Sequence, residues 1–98
     1  MKKCIESTMS GKNLDYDHLL WINKIANQLD LTGITFFHND GSVKVIAEGE
    51  ENILLFFIKK LKRGPSFFPL FSPVENFSII WQEPKNEFKN FSISEALE

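Results

Sequence analysis

This sequence predicts an α+β, ferredoxin-like sandwich: a βαββαβ order with two helices on one face of a mainly antiparallel sheet. Three observations lead there. Two stretches, His18 to Leu29 and Glu50 to Arg63, carry apolar residues at helical spacing. Between them, Asn39-Asp40-Gly41 separates an apolar run, Ile34 to Phe37, from an alternating run, Val43 to Ala47. An Asp-Gly pair in that setting marks a hairpin, because Gly accepts positive φ without steric cost. Strand-like runs also flank the two helical stretches at either end of the chain.

Taken in order, Lys2 to Ser10 reads as the first strand, with Cys4 and Met9 as apolar contributors and Ile5 on the opposite face. Lys12 to Asp17 is a polar connector, and Asp17 is the expected N-cap of the first helix. In that helix Leu19, Ile22, Ile25, Ala26 and Leu29 form one stripe, with Trp21 outside it. Leu31-Thr32-Gly33 turns the chain into the hairpin. Val43, Val45 and Ala47 share one face of its second strand and Lys44, Ile46 and Glu48 the other; Gly49 is the expected boundary with the second helix. That helix has Glu50 and Glu51 in its first turn, Leu54, Phe57, Ile58 and Leu61 as its buried stripe, and a cationic C-terminal turn closed by Gly64-Pro65. After a loop from Ser66 to Pro73, Val74 to Glu83 alternates as a fourth strand in which Trp81 is expected to pack, and Phe88 to Ile93 forms a short last one.

The totals narrow the class. Ninety-eight residues, 43% of them hydrophobic, suit one domain over residues 1–98. A chain of this size buries roughly 60–65% of its unfolded surface, so a single core suffices. A formal charge of −2 disfavours nucleic-acid binding through bulk electrostatics. The one cysteine, Cys4, is read as a small buried hydrophobe; with no second cysteine, a reducing, cytoplasmic compartment is expected. No apolar run approaches membrane-spanning length, and the first residues lack the apolar stretch of a signal peptide, so no membrane association is expected.

The chain resembles the acylphosphatases, small enzymes that cleave acyl phosphates without a cofactor. The resemblance is carried by Leu31-Thr32-Gly33, Asp40-Gly41-Ser42-Val43, Val45, Ala47, Gly49-Glu50-Glu51 and Gly64-Pro65. It continues through Val74-Glu75, Trp81, Phe88, Phe91 and Ile93, and so covers almost the whole chain. What the resemblance implies is a glycine-rich phosphate loop after the first strand, an arginine at the start of the first helix that clamps the phosphate, and an asparagine at the end of the second strand that orients the attacking water. Such chemistry needs positioning and charge neutralisation more than covalent steps. Counted without gaps, the loop equivalent is Lys12, Asn13, Leu14, Asp15, Tyr16, Asp17 and His18, with Asp15 and Asp17 at the glycines. Leu19 stands at the arginine and Phe37 at the asparagine, and the chain's only arginine is Arg63. The expectation is therefore an acylphosphatase-like domain without catalytic residues, cofactor or metal, whose role is binding an unknown protein or itself. The alternative is a weak or relocated acyl phosphate hydrolase.

Two other features carry competing readings. Asp15, Asp17, His18, His38 and Asp40 could gather round a metal, or could be a helix cap, a turn and surface histidines; the second reading is favoured. In the Ser66 to Pro73 loop, Phe67, Phe68, Leu70 and Phe71 either form an exposed interface patch or fold back over one end of the sheet.

Overall fold

The computed structural model describes residues 1–12, 14–65 and 74–94. It follows the expected order: β1 (Lys2–Ser10), α1 (Tyr16–Gln28), β2 (Thr32–Phe37), β3 (Val43–Glu50), α2 (Glu51–Arg63), β4 (Asn76–Gln82) and β5 (Phe91–Ile93). The sheet runs β4-β1-β3-β2-β5, antiparallel except for the β2–β5 pair. The predicted α+β ferredoxin-like fold is the observed one.

The core lies between the sheet and the two helices. Ile5 and Met9 of β1 and Val43, Val45 and Ala47 of β3 are fully buried against Leu19, Ile22 and Ala26 of α1 and Leu54, Phe57 and Leu61 of α2. Full burial of each large side chain stabilises the fold by about 1.5–3 kcal/mol. Phe57 meets Phe91 of β5 edge to face, with centroids 6.3 Å apart, a geometry worth about 0.5–1.5 kcal/mol beyond the burial itself. Among the described residues, no helix is long and apolar enough to cross a membrane.

Several local expectations are corrected. In β1 the helix-facing residues are Ile5, Ser7 and Met9, paired across the sheet with Ala47, Val45 and Val43. Cys4 is on the other face and is buried nonetheless. β3 continues through Gly49 to Glu50, because β1 pairs with it as far as Lys2 opposite Glu50. Trp81 is 42% exposed: β4 is an edge strand, and α2 packs mainly over β3 and β1. The Phe67, Phe68, Leu70 and Phe71 segment and Asn13 lie outside the described residues.

Two glycines are required where they stand. Gly33 has φ +147° and runs so close to β3 that an added Cβ would lie 1.8 Å from the Ile46 carbonyl oxygen. Gly41 has φ +90° and ends the hairpin turn, where the Gly41 N–H donates to His38 O at 2.9 Å.

The face of the sheet turned away from the helices has its own anchor. The register aligns Gln82, Cys4, Glu48 and Thr32 in one row across four strands. Glu48 is 1% exposed. Its carboxylate accepts the backbone N–H groups of Lys85 (2.7 Å) and Asn86 (3.0 Å). The Lys2 ammonium donates to Asn86 Oδ1 at 2.8 Å. The segment 83–90, which carries the chain from one edge of the sheet to the other, is thus pinned to its middle.

Candidate functional site

The candidate site is the connection from β1 to α1 and the neighbouring end of β2. The sequence folds this way because Ser10 ends the paired part of β1 and Asp15, in an extended conformation (φ −112°, ψ −167°), opens α1 as its N-cap. This corrects the expectation that Asp17 caps the helix. Asp15 makes no side-chain cap; its carbonyl accepts the His18 N–H at 3.0 Å, and Asp17 lies in the first turn, where its charge suits the helix dipole.

The residues of the loop point in different directions. Lys12, Asp15, Tyr16 and Asp17 are exposed, whereas Leu14 packs against the core. His18 is 4% exposed, which corrects its reading as a surface residue. Its ring is tilted against Trp21 at a centroid distance of 5.4 Å, and its Nε2 is buried without a hydrogen-bond partner among the described residues. Burial holds the His18 pKa below 6.5, and the nearby Asp15 charge opposes that only in part. Leu19 is 2% exposed within the core cluster, and Phe37 packs against the same cluster from the last position of β2.

A further carboxylate arrives from outside the loop. Glu75, just before β4, donates its N–H to Ser10 O at 2.9 Å and accepts the Lys12 N–H on Oε2 at 3.3 Å. Lys12 and Glu75 thus meet at the start of the loop, and Asp15 and Asp17 are exposed at the start of α1. Glu75 is among the residues that carry the family resemblance, but nothing in the sequence ties it to the loop, because its partner Lys12 is 63 residues away.

At the hairpin, Asp40 Oδ1 accepts from the Ser42 N–H (2.9 Å) and hydroxyl (2.6 Å), and these bonds hold the Asp40 carboxyl below its usual pKa. His38 is half-buried; its backbone N–H donates to Ser42 O at 2.8 Å, and its ring Nδ1 is buried without a partner among the described residues. The acidic and histidine residues are not assembled: among the described residues no group of three or more His, Cys, Asp or Glu could hold a metal ion.

The strand order and the two helices on one face place the chain among the α+β ferredoxin-like domains. Among these, a family-wide sequence model described as Acylphosphatase matches residues 16–93, and the chain belongs to the acylphosphatase family. An acylphosphatase of Caldanaerobacter subterraneus subsp. tengcongensis is 30% identical over 93 residues, which cover 95% of this chain and 99% of that one. An acylphosphatase of Lactobacillus gasseri is 50% identical over 42 residues, 43% of this chain; the match spans only 46% of the length of that relative. The crystal structure of acylphosphatase from Bacillus subtilis superposes with a TM-score of 0.82 at 26% identity, covering 96% of this chain and 99% of that one.

Proposed function

We propose that this chain is a single acylphosphatase-family domain, over residues 1–98, that no longer hydrolyses acyl phosphates and acts in a reducing compartment by binding a protein or itself. The observation that carries this reading is Leu19. At the helix position where the family resemblance calls for a phosphate-clamping arginine stands a leucine, 2% exposed and packed in the core. Phe37, at the position of the water-orienting asparagine, likewise packs against the core. The loop N–H of Lys12 is already engaged by the Glu75 carboxylate, and Asp15 and Asp17 replace glycines that would turn N–H groups towards a phosphate.

The alternative is a weak or relocated acyl phosphate hydrolase. It is favoured by the relatives, which carry the name acylphosphatase, one of them along 95% of this chain. Incubation with benzoyl phosphate separates the two readings. The expected result is hydrolysis at the uncatalysed rate, together with amide resonances of residues 12–19 that do not move on titration with inorganic phosphate. Turnover above background that is lost on substitution between Asp15 and Leu19 would overturn the silent-domain reading.

A further inference from the structure

The two edges of the sheet are treated differently. β5 is three residues long. β4 has seven residues, Asn76–Gln82, without a proline, a glycine or a charge, and no described residue pairs with its outer side. Sheet edges are ordinarily protected by shortness, proline, lysine or a bulge, and β4 has none of these. Beside it, a groove of about 300 Å³ lies between β4 and α2, lined by Leu55, Ile58, Phe77, Ile79 and Trp81 together with Lys62 and Ser78. Leu55, Ile80 and Trp81 are between 42% and 57% exposed.

We propose that β4 pairs antiparallel with β4 of a second copy, joining two five-stranded sheets into one of ten strands. This deepens the binding role proposed above by naming the surface and the partner. A two-fold pairing of this kind places residue i opposite a residue of the other copy at a constant sequence sum, and opposite residues share a sheet face. Centred on Ile79, the midpoint of the strand, it engages all seven residues. On the helix side Ile79 meets Ile79 and Phe77 meets Trp81 of the second copy, cross-strand apolar and aromatic pairs that stabilise sheets. On the other side Ser78 meets Ile80, and Asn76 meets Gln82. The strand is thus complementary to itself and brings no like charges together along its length. Its flanks oppose Glu75 to Glu83, and Lys3, 3.9 Å from Glu83, moderates that repulsion. The copy is favoured over an unrelated strand because each apolar position faces an apolar or small one under a single symmetry operation.

Sedimentation of the whole chain over a concentration series tests the proposal. The wild type is expected to pass from monomer to dimer. The double variant Ser78→Lys/Ile80→Lys changes two exposed positions and sets lysine opposite lysine twice. It is expected to weaken the dimer by about tenfold or more, as is Ser78→Glu/Ile80→Glu. Mixing the two variants is expected to restore a heterodimer. A wild type that stays monomeric near millimolar concentration, variants that dimerise as the wild type does, or a mixture that fails to associate would each overturn the pairing. Should a variant not fold, hydrogen exchange on the wild type decides: β4 amides must gain protection with concentration while β5 amides do not. Mass and exchange are read without turnover, so this proposal and the loss of hydrolysis can fail separately.

Discussion

Replacing Glu48 by glutamine removes one oxygen from a carboxylate that is 1% exposed and holds two backbone N–H groups, of Lys85 at 2.7 Å and Asn86 at 3.0 Å. The amide fits the same space but can accept only one of them; its NH2 faces the other. A hydrogen bond to a charged group contributes about 1.5–3 kcal/mol, and the donor left behind sits in a part-buried position. The neutral amide costs less to bury than the carboxylate, which offsets part of the loss. A net destabilisation of about 2 kcal/mol follows, or about 8–16 °C in Tm for a domain of this size. Urea unfolding followed by circular dichroism should show a midpoint lowered by about 1 M or more with an unchanged slope, and the Lys85 and Asn86 amides should exchange faster. A Glu48→Gln protein within about 0.5 kcal/mol of wild type would show that the strap 83–90 is held by something other than this carboxylate.

Two further outcomes follow from buried titratable groups. Because burial lowers the pKa of His18, the folded state favours the neutral ring: stability is complete above the unfolded value of 6.5 and declines as pH falls below it. His18→Phe should flatten the stability profile below about pH 6.5; a profile identical to wild type would refute a buried neutral His18. Cys4 is pushed up to about 11 from an ordinary 9.0, first by burial and then by the Glu48 charge. Its thiolate fraction at pH 8 is therefore about 100-fold lower than that of a free thiol. Native protein should react with a disulfide reagent at least that much more slowly than protein in urea, and equal rates would place Cys4 outside the sheet.

The frame was legible because its signals are local. Asp40-Gly41 between two strand runs fixed the hairpin, and the period of Leu54, Phe57 and Leu61 fixed α2 and the face it buries. Parity likewise set Val43, Val45 and Ala47 on the core face. What escaped depends on contacts distant in sequence. In β1, Cys4, Ile5 and Met9 are all buried, so alternation could not tell the helix side from the strap side. Trp81 was expected to pack, since a tryptophan in a strand does not announce that the strand is an edge. A polar histidine in a first helical turn reads as a surface residue, and the burial of His18 rests on its packing beside Trp21. Glu48 gave no hint of burial, because the strap that covers it crosses from a region 37 residues away. At the candidate site, the positions of Leu19 and Phe37 could be counted from the family's landmarks, whereas the contact of Glu75 with Lys12 could be found only in three dimensions.

The strap also sets a length rule for the C-terminal part of the chain. β4 ends and β5 begins at nearly the same height, since Gln82 lies in the row of Thr32 and Phe91 pairs with Gly33. The displacement between them is sideways, four strand spacings or about 19 Å. The eight residues 83–90 reach about 30 Å when extended, so roughly 10 Å of reach remains for the detour to Glu48. Removing three of them would exhaust that reserve: the chain could still touch both edges, but only by lifting off the carboxylate or by pulling Phe91 from its seat against Phe57. Insertions carry no such conflict. Deletions in this segment should therefore be far scarcer than insertions among chains that keep both the buried acid and the fifth strand.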